Sequence, residues 1–534
     1  MNKTGIICSI SLASTVGMSC VDKQKTPKQP NIVLIVADDS GFSDLGCYGG
    51  EMQTPNLDAL AKNGLRFTQF YNTGRSWPTR SAMMTGYYPQ QTRSDPSLAQ
   101  FPEWTRCLPY WLKPAGYSCY HSGKWHVTGA KNVVADGGFD RSYLLNDFDR
   151  NFNPKHHVLD DIPLPPVDKG TEYYTTTAFT DYAIRFLTEH QTERSDKPFM
   201  LLLAYTVPHF PLQAPQEDID RCRARYTSGW EAVRTTRYER LKEMKLINCG
   251  LSPVEEQVGP PYGISPLVLH TFPEKEVHFP FPWASLTPEQ QAFQTEKMAI
   301  HAAMVEVMDR EIGRVIAQLR EMDALDNTLV MFFSDNGASA ELLIRGDGHT
   351  EGAQPGTADS YLSLGPGWST VSNTPFRRHK TWVHEGGIST PFIVHWPAGI
   401  KEKNVLRNDL CHVIDIVPTI LDVAGINPVL PVGAPPFPGL SLTGMFAQDS
   451  VASRKEFFFS HEGNMALRDG NYKLVSAKRD GSDWELYDFT TDRCEQNNLA
   501  QQQPERVKAM VERWTSLNNQ FLKDAGEDET VSQP

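Results

Sequence analysis

Asn31-Ile32-Val33-Leu34-Ile35-Val36-Ala37-Asp38-Asp39 is an unbroken apolar, largely β-branched run that ends in two carboxylates. With no polar alternation, it reads as a strand buried on both faces of a parallel sheet. One Asp after such a strand would be an ordinary cap. Two are costly to bury unless a cation neutralises them, so Asp38 and Asp39 are candidate metal ligands. Two further runs end in the same manner. Pro198-Phe-Met-Leu-Leu-Leu-Ala-Tyr205 leads to His209 between Pro208 and Pro211, and the strand beginning at Asn327 ends in Asp335-Asn336-Gly337. Ligands of open parallel sheets sit beyond the carboxyl ends of the strands, so these three ends predict one site. The expected fold class is α/β: a large, mostly parallel or mixed central sheet flanked by helices.

Between the first two strands lie a capped amphipathic helix, Pro55 to Gly64, and an extended run, Leu65 to Tyr71. Then comes Asn72-Thr-Gly74-Arg-Ser76-Trp-Pro78-Thr-Arg80-Ser-Ala-Met-Met-Thr85-Gly86. Gly74 breaks the strand, Pro78 restarts a helical backbone, and Arg80 to Met84 reads as helix. Ser76 therefore falls just ahead of a helix N-terminus, where unpaired N–H groups and the dipole favour an anion. A short strand from Gly116 to His121 leads into Ser122-Gly-Lys124-Trp-His126, a loop in which Lys124 and His126 can point the same way.

Residues 213–284 change character, with a polar helical stretch from Asp220 to Leu246 followed by a proline-rich segment. This reads as an insertion over the sheet edge that shapes a substrate cleft. Thr287-Pro-Glu-Gln290 opens a long helix running to about Met322, with a core stripe at Met304, Met308, Ile312, Val315, Ile316 and Leu319. The loop after Gly337 carries Arg345, Asp347 and His349, candidates for substrate contact, and is followed by Lys380, Glu385-Gly-Gly387 and a strand, Thr390 to Trp396. After Pro438-Gly439, short strands joined by Asp-Gly turns and a helix from Pro504 to Phe521 predict a small C-terminal antiparallel sheet plus helix. The expected domains are a signal peptide (1–20), a tether (21–30), a catalytic α/β domain (31–445), a C-terminal α+β subdomain (446–523) and a polar tail (524–534).

The 534 residues carry a formal charge of −13, which argues against non-specific nucleic-acid binding. An anionic substrate must then be captured by a local cluster of cations. Lys3, the apolar Ile6 to Ala13 and the small residues before Cys20 look like an export signal. Cys20 with its polar tether resembles a bacterial lipoprotein cleavage site, so the expected location is periplasmic or membrane-anchored. Nine cysteines, two of them in the leader, show no spacing of a disulfide framework or zinc ribbon. Cys119, Cys222, Cys249 and Cys411 are expected to be thiols.

Asp38, Asp39, Asp335 and Asn336 form an oxygen-donor set that favours Ca²⁺, with Mg²⁺ second. Arg80, Lys124 and Lys380 add positive charge, and His126 and His209 add proton transfer, a combination suited to a tetrahedral oxyanion. With these pieces in order, the chain resembles the type I, formylglycine-dependent sulfatases, in their bacterial arylsulfatase-like branch of the alkaline phosphatase superfamily. The matching motifs are Ala37-Asp-Asp-x-Gly41, Ser76-x-Pro-x-Arg80 through Gly86, Gly123-Lys-Trp-His126, Pro208-His209, Ser334-Asp-Asn-Gly337 and Lys380 with Glu385-Gly-Gly387.

The resemblance implies an alkaline-phosphatase-like fold and hydrolysis of sulfate esters. It further implies that Ser76 is oxidised to Cα-formylglycine by a serine-type radical iron–sulfur (radical SAM) maturation enzyme, and that the hydrate is the nucleophile. Asp38, Asp39, Asp335, Asn336 and the modified residue 76 would hold calcium, and Arg80 would hold the nucleophile. Lys124 and Lys380 would bind sulfate oxygens, His209 with Lys380 would be the acid for the leaving oxygen, and His126 the base of the release step. A sulfated glycan is the expected substrate, with an aryl sulfate or a phosphate or phosphonate monoester as alternatives. A non-catalytic glycan-binding lipoprotein is the competing class.

Overall fold

The computed structural model describes Met1 and residues 29–96, 100–146, 150–448, 454 and 456–527. The rest of the leader, most of the tether and the last seven residues of the tail, as read from the sequence, lie outside the described residues.

The founding run is strand β1 (Asn31–Asp38). The strands that follow are β2 (Leu65–Tyr71), β3 (Ser118–Gly123), β4 (Arg141–Leu145), β5 (His157–Leu159), β6 (Ile162–Pro163), β7 (Phe199–Pro208), β8 (Thr328–Ser334), β9 (Ser389–His395), β10 (Val405–Arg407) and β11 (Cys411–His412). They form one eleven-stranded sheet in the order β10-β2-β9-β8-β1-β7-β3-β4-β5-β6, with β11 beside β2. The centre β8-β1-β7-β3-β4 is parallel throughout, and β9 runs antiparallel to both β8 and β2. The sheet is thus mixed, as expected for this fold class.

Burial on both faces explains why β1 has no polar alternation. Val33, Ile35 and Ala37 join the core on one face and Ile32, Leu34 and Val36 the core on the other, all fully buried. The first face is covered by helices Thr175–Glu193 and Pro288–Glu321. The latter starts at a capping box between Thr287 and Gln290 and buries the predicted stripe. On the second face pack helices Ser76–Thr85 and Ile416–Val423.

The C-terminal unit is a meander of β12 (Glu456–His461), β13 (Asn464–Asp469), β14 (Tyr472–Ser476) and β15 (Trp484–Asp488). Phe457, Phe459, Ala466, Val475 and Tyr487 pack against Tyr71, Val383 and Ile388 of the larger unit. Leu467, Leu474 and Leu486 lie beneath helix Pro504–Asp524. The polar tail accordingly starts where that helix ends.

Three sequence expectations change. The helix at residue 76 begins at Ser76, with Arg75 as its N-cap, and carries Pro78 inside its first turn. The polar stretch from Asp220 to Leu246 is two helices, Gln216–Arg223 and Trp230–Glu243. They are broken at Gly229, which has φ +83° and where a Cβ would stand 2.2 Å from the Trp283 ring. The helices of this insertion pack through Ile219, Tyr226, Trp230 and Leu241 into the same core as the long helix.

Finally, Cys249 is not a thiol. It is bonded to Cys494, tying the insertion to the C-terminal unit. A separation of 245 residues leaves no spacing signal in the chain. Closing so long a loop restricts the unfolded chain strongly, so Cys249→Ser is expected to cost about 3 to 5 kcal/mol of unfolding free energy. Urea denaturation of C249S against the parent measures this, and an unchanged midpoint would contradict the pairing.

Candidate active site

Strand direction gathers the site. Parallel β1, β7, β8 and β3 deliver Asp38/Asp39, His209, Asp335/Asn336 and Lys124 to the same edge of the sheet. Because β2 is parallel to them, its end delivers Asn72 and the Ser76 helix there too, and antiparallel β9 starts there, so the loop before it brings Lys380. Backbone contacts between strands hold this edge closed. Gly123, with φ +129°, lies so close to β7 that a Cβ would meet the Ala204 carbonyl at 1.9 Å.

Ser76 is 2% exposed. Its hydroxyl faces Asp38 Oδ1 at 3.2 Å and Asn336 Oδ1 at 3.3 Å. One proton can serve only one of these acceptors, so the three oxygens converge without enough hydrogens to satisfy them. Lys124 Nζ lies 2.6 Å from Asp38 Oδ2. Arg80 Nε pairs with Asp335 Oδ2 at 2.8 Å, and its Nη1 donates to the Lys124 carbonyl at 2.8 Å. Asn336 Nδ2 donates to Asp39 Oδ1 at 2.6 Å, and Lys380 Nζ sits 2.8 Å from the same oxygen. Asp335 Oδ1 and Arg80 Nη2 are buried without a hydrogen-bond partner.

These residues fit a hard divalent cation. Three fully buried carboxylates meet an amide oxygen, and one carboxylate oxygen is orphaned. Donor atoms of Asp38, Asp39 and His209 all lie within 4.8 Å of one another. Burial pushes the Asp39 carboxyl up; Lys380 opposes this, Asp38 and Asp335 add to it, and the result is about 6. Asp335 is raised chiefly by burial and then by Asp38, against Arg80 and Lys124. For Asp38, burial is outweighed by Lys124, His209 and Arg80, and the group lies well below the usual carboxylate range. The Asp38 charge raises the proton affinity of both neighbouring acids, a repulsion that a bound cation would relieve. The charges of the three acids are formally cancelled by Arg80, Lys124 and Lys380. A bound divalent ion would therefore leave the site positive, ready for an anion.

Two histidines lie against this cluster. His209 Nδ1 lies 2.5 Å from the Phe210 carbonyl, which can only accept, so Nδ1 carries the hydrogen. His209 Nε2 is then the second nitrogen, 3.9 Å from Asp39 Oδ2. Burial and then Lys380 hold His209 well below the usual histidine range, and burial, Lys124 and Arg80 do the same for His126. His126 adopts a left-handed backbone (φ 55°) and packs on Trp77, with ring centroids 5.9 Å apart.

Of the three predicted substrate residues, the structure brings one to the site. The Arg345 guanidinium lies 5.2 Å from the centre of the Phe210 ring, beside His209. Asp347 is 73% exposed and paired with Arg150 and Lys155. His349 accepts the Tyr361 N–H at 3.0 Å and packs on Phe272.

Sequence reasoning missed Glu341, which is 3% exposed and stands 3.5 Å from Lys380 Nζ and 3.2 Å from Arg75 Nη2. Burial opposes ionisation of Glu341, but Lys380 and Arg75 bring its carboxyl down to about 2. It sits in an irregular loop with no periodicity, so no sequence signal marks it.

Comparison with known proteins bears on the same residues. The sulfatase family model matches residues 30–426, and a model described as N-sulphoglucosamine sulphohydrolase, C-terminal, matches residues 377–520. The arylsulfatase of Klebsiella aerogenes is 31% identical over 80% of this chain and 93% of its own length. The N-acetylglucosamine-6-O-sulfatase of Bacteroides thetaiotaomicron is 24% identical over 98% of this chain and 92% of its own. The fold is shared with the solved structure of BT4656 in complex with its substrate D-glucosamine-2-N,6-O-disulfate, at a TM-score of 0.63 and 20% identity over 94% of this chain and 100% of that one. In this family the residue at the Ser76 position becomes formylglycine and works beside a divalent metal. The chain belongs to the sulfatase family and is an enzyme that hydrolyses sulfate esters.

Proposed function

We propose that this sulfatase removes sulfate from a sulfated sugar or glycan, with formylglycine made from Ser76 and with calcium as its metal. The observation that carries the reading is the convergence of the Ser76 hydroxyl, Asp38 Oδ1 and Asn336 Oδ1 among three buried carboxylates and three buried cations. All-oxygen donors without a thiolate favour Ca²⁺ over zinc, and the number of oxygen donors, five with residue 76, suits Ca²⁺, which takes more protein ligands than Mg²⁺. When bound and matured, the two groups supply a hydrated aldehyde nucleophile beside a Lewis acid.

The chain's own residues do the rest. Arg80, locked by Asp335 and the Lys124 carbonyl, keeps its orphaned Nη2 for the nucleophile. Lys124 and Lys380 hold the sulfate oxygens. An arriving sulfate ester brings negative charge next to Lys380 and His209, which favours their protonated forms and lets them give a proton to the leaving oxygen. His126 enters neutral and takes a proton when sulfate is released. Arg345, with Asp347 and His349 further along its loop, lies on the side where sugar contacts are expected.

The relatives' names support a sugar substrate, since one is an N-acetylglucosamine-6-O-sulfatase. The leader supports export, with Cys20 as a lipid anchor.

The test is the mass of the tryptic peptide carrying Ser76, from protein co-expressed with a serine-type radical SAM maturation enzyme. It is paired with sulfate release from 2-, 4- and 6-O-sulfated hexoses and hexosamines and from 4-nitrophenyl sulfate. The expected result is a loss of about two mass units at Ser76, with calcium-dependent release from a sulfated sugar. An unmodified Ser76 in an active enzyme would overturn the reading.

A further inference from the structure

The two neighbours of Ser76 in sequence, Arg75 and Trp77, are only partly buried, unlike the fully enclosed residues around them. The Arg75 guanidinium lies 5.3 Å from the centre of the Trp77 ring and 5.0 Å from that of Tyr262. Its charge is met by Glu341. Tyr262 comes from the insertion and is 50% exposed. Its hydroxyl donates to Glu462 Oε2 at 2.8 Å, on the turn between β12 and β13. The rim beside the nucleophile is therefore built by three distant stretches of chain, and the Cys249–Cys494 bond ties two of them together.

On the other side of Trp77, His461 stands edge-to-face at 5.4 Å between ring centroids. His461 is fully buried, and its Nδ1 is hydrogen-bonded to the Asp95 carboxylate at 3.1 Å. The carboxylate accepts, so Nδ1 carries the hydrogen and Nε2 is left to bind something else. Nε2 has no hydrogen-bond partner, and Glu462 Oε1 is 3.9 Å away. Trp77 Nε1 is likewise buried without a partner. Buried polar atoms are nearly always paired, and two orphans on touching rings, one of them next in sequence to the nucleophile, mark where a ligand's polar groups go.

The chemistry of the cluster selects its ligand. Trp77 and Tyr262 offer ring faces and Trp77 Nε1 a donor, while His461 Nε2 and Glu462 offer acceptors. With Arg75 already neutralised by Glu341, the carboxylate of Glu462 makes this a poor place for a second anion. A hydroxylated, uncharged face of a sugar ring fits, and an aryl group would leave the polar atoms unpaired.

We propose that Trp77, Tyr262, His461 and Glu462 form the subsite that reads the hydroxyls of the sugar carrying the scissile sulfate, with Asp95 positioning His461. This rests on the reading of a sulfated sugar as substrate.

The test compares kcat/KM for the best sulfated sugar of the panel with that for 4-nitrophenyl sulfate, in matured parent enzyme, Glu462→Gln and His461→Asn. Asn keeps the hydrogen bond to Asp95 but removes Nε2. In both variants the ratio of sugar to aryl activity is expected to fall about tenfold, with His461→Gln, whose amide reaches the Nε2 position, recovering part of it. Ratios within about twofold of the parent, including the case in which both substrates suffer alike, would overturn the subsite. Parent enzyme that cleaves the aryl sulfate but none of the sugars would instead sink the sugar reading and take the subsite with it, so the parent alone tells the two failures apart. Glu462, at a turn and partly exposed, keeps the test decisive should His461→Asn fold poorly.

Discussion

Ser76→Ala is expected to lower kcat for sulfate-ester hydrolysis by roughly ten-thousandfold or more, with little change in unfolding midpoint. Activity should collapse because no other side chain can take over. The neighbouring oxygens belong to Asp38 and Asn336, which the carboxylate cluster engages, and the next hydroxyls in the helix, Thr79 and Ser81, are fully buried. Thr79 Oγ1 also bonds the Thr73 hydroxyl at 2.8 Å. Stability should hold because alanine suits the first helical position, and the two hydrogen bonds that serine makes there are long, 3.2 and 3.3 Å. Steady-state kinetics beside a thermal melt separates the two effects. Turnover within about a hundredfold of the parent would mean that the hydroxyl is not the seat of the chemistry.

Stripping the enzyme of divalent metal with a chelator is expected to abolish turnover and to lower the unfolding free energy by about 3 kcal/mol, if the ion is held at a hundred times its dissociation constant. Both effects come from the same carboxylates. Asp38, Asp39 and Asp335 are buried, and without the ion burial and the Asp38 charge raise the proton affinity of both Asp39 and Asp335. Calcium should restore activity and melting temperature together, and better than magnesium. Asp335→Asn is the genetic counterpart, since it removes a charge but keeps an oxygen for Arg80. It should weaken the response of the melt to calcium as well as the activity. A melt indifferent to chelator and to calcium alike would rule out the metal.

The site is legible in the sequence where burial on both sides has removed the polar alternation of a strand. β1, β7 and β8 read as apolar runs, so the chemistry at their ends stands out, and the direction of a parallel sheet places those ends together. The residues named from motifs, Ser76, Arg80, Lys124, His126, His209 and Lys380, are all found at that edge. What stays hidden depends on loops meeting one another. Glu341 and Tyr262 lie in irregular segments, and Glu462 sits on a turn in another subdomain, so no local period or cap announces them. The Cys249–Cys494 pair is invisible for the same reason, since neither spacing nor composition records a meeting between residues 245 apart. The break at Gly229 escapes notice because a polar helical composition says nothing of the Trp283 ring that fills the bend.

Ser76 lies at the start of a helix with nine of its ten residues buried, and its own side chain is 2% exposed. Nothing the size of an enzyme can reach it once that helix has docked. If Ser76 is oxidised as proposed, the modifying enzyme must therefore meet the chain while it is still unfolded, in a race against folding that each molecule runs once. A molecule that folds first carries plain serine for the rest of its life, with the same fold and no means of correction. The specific activity of a preparation is then a record of the conditions under which it was synthesised, fixed before the protein ever meets a substrate.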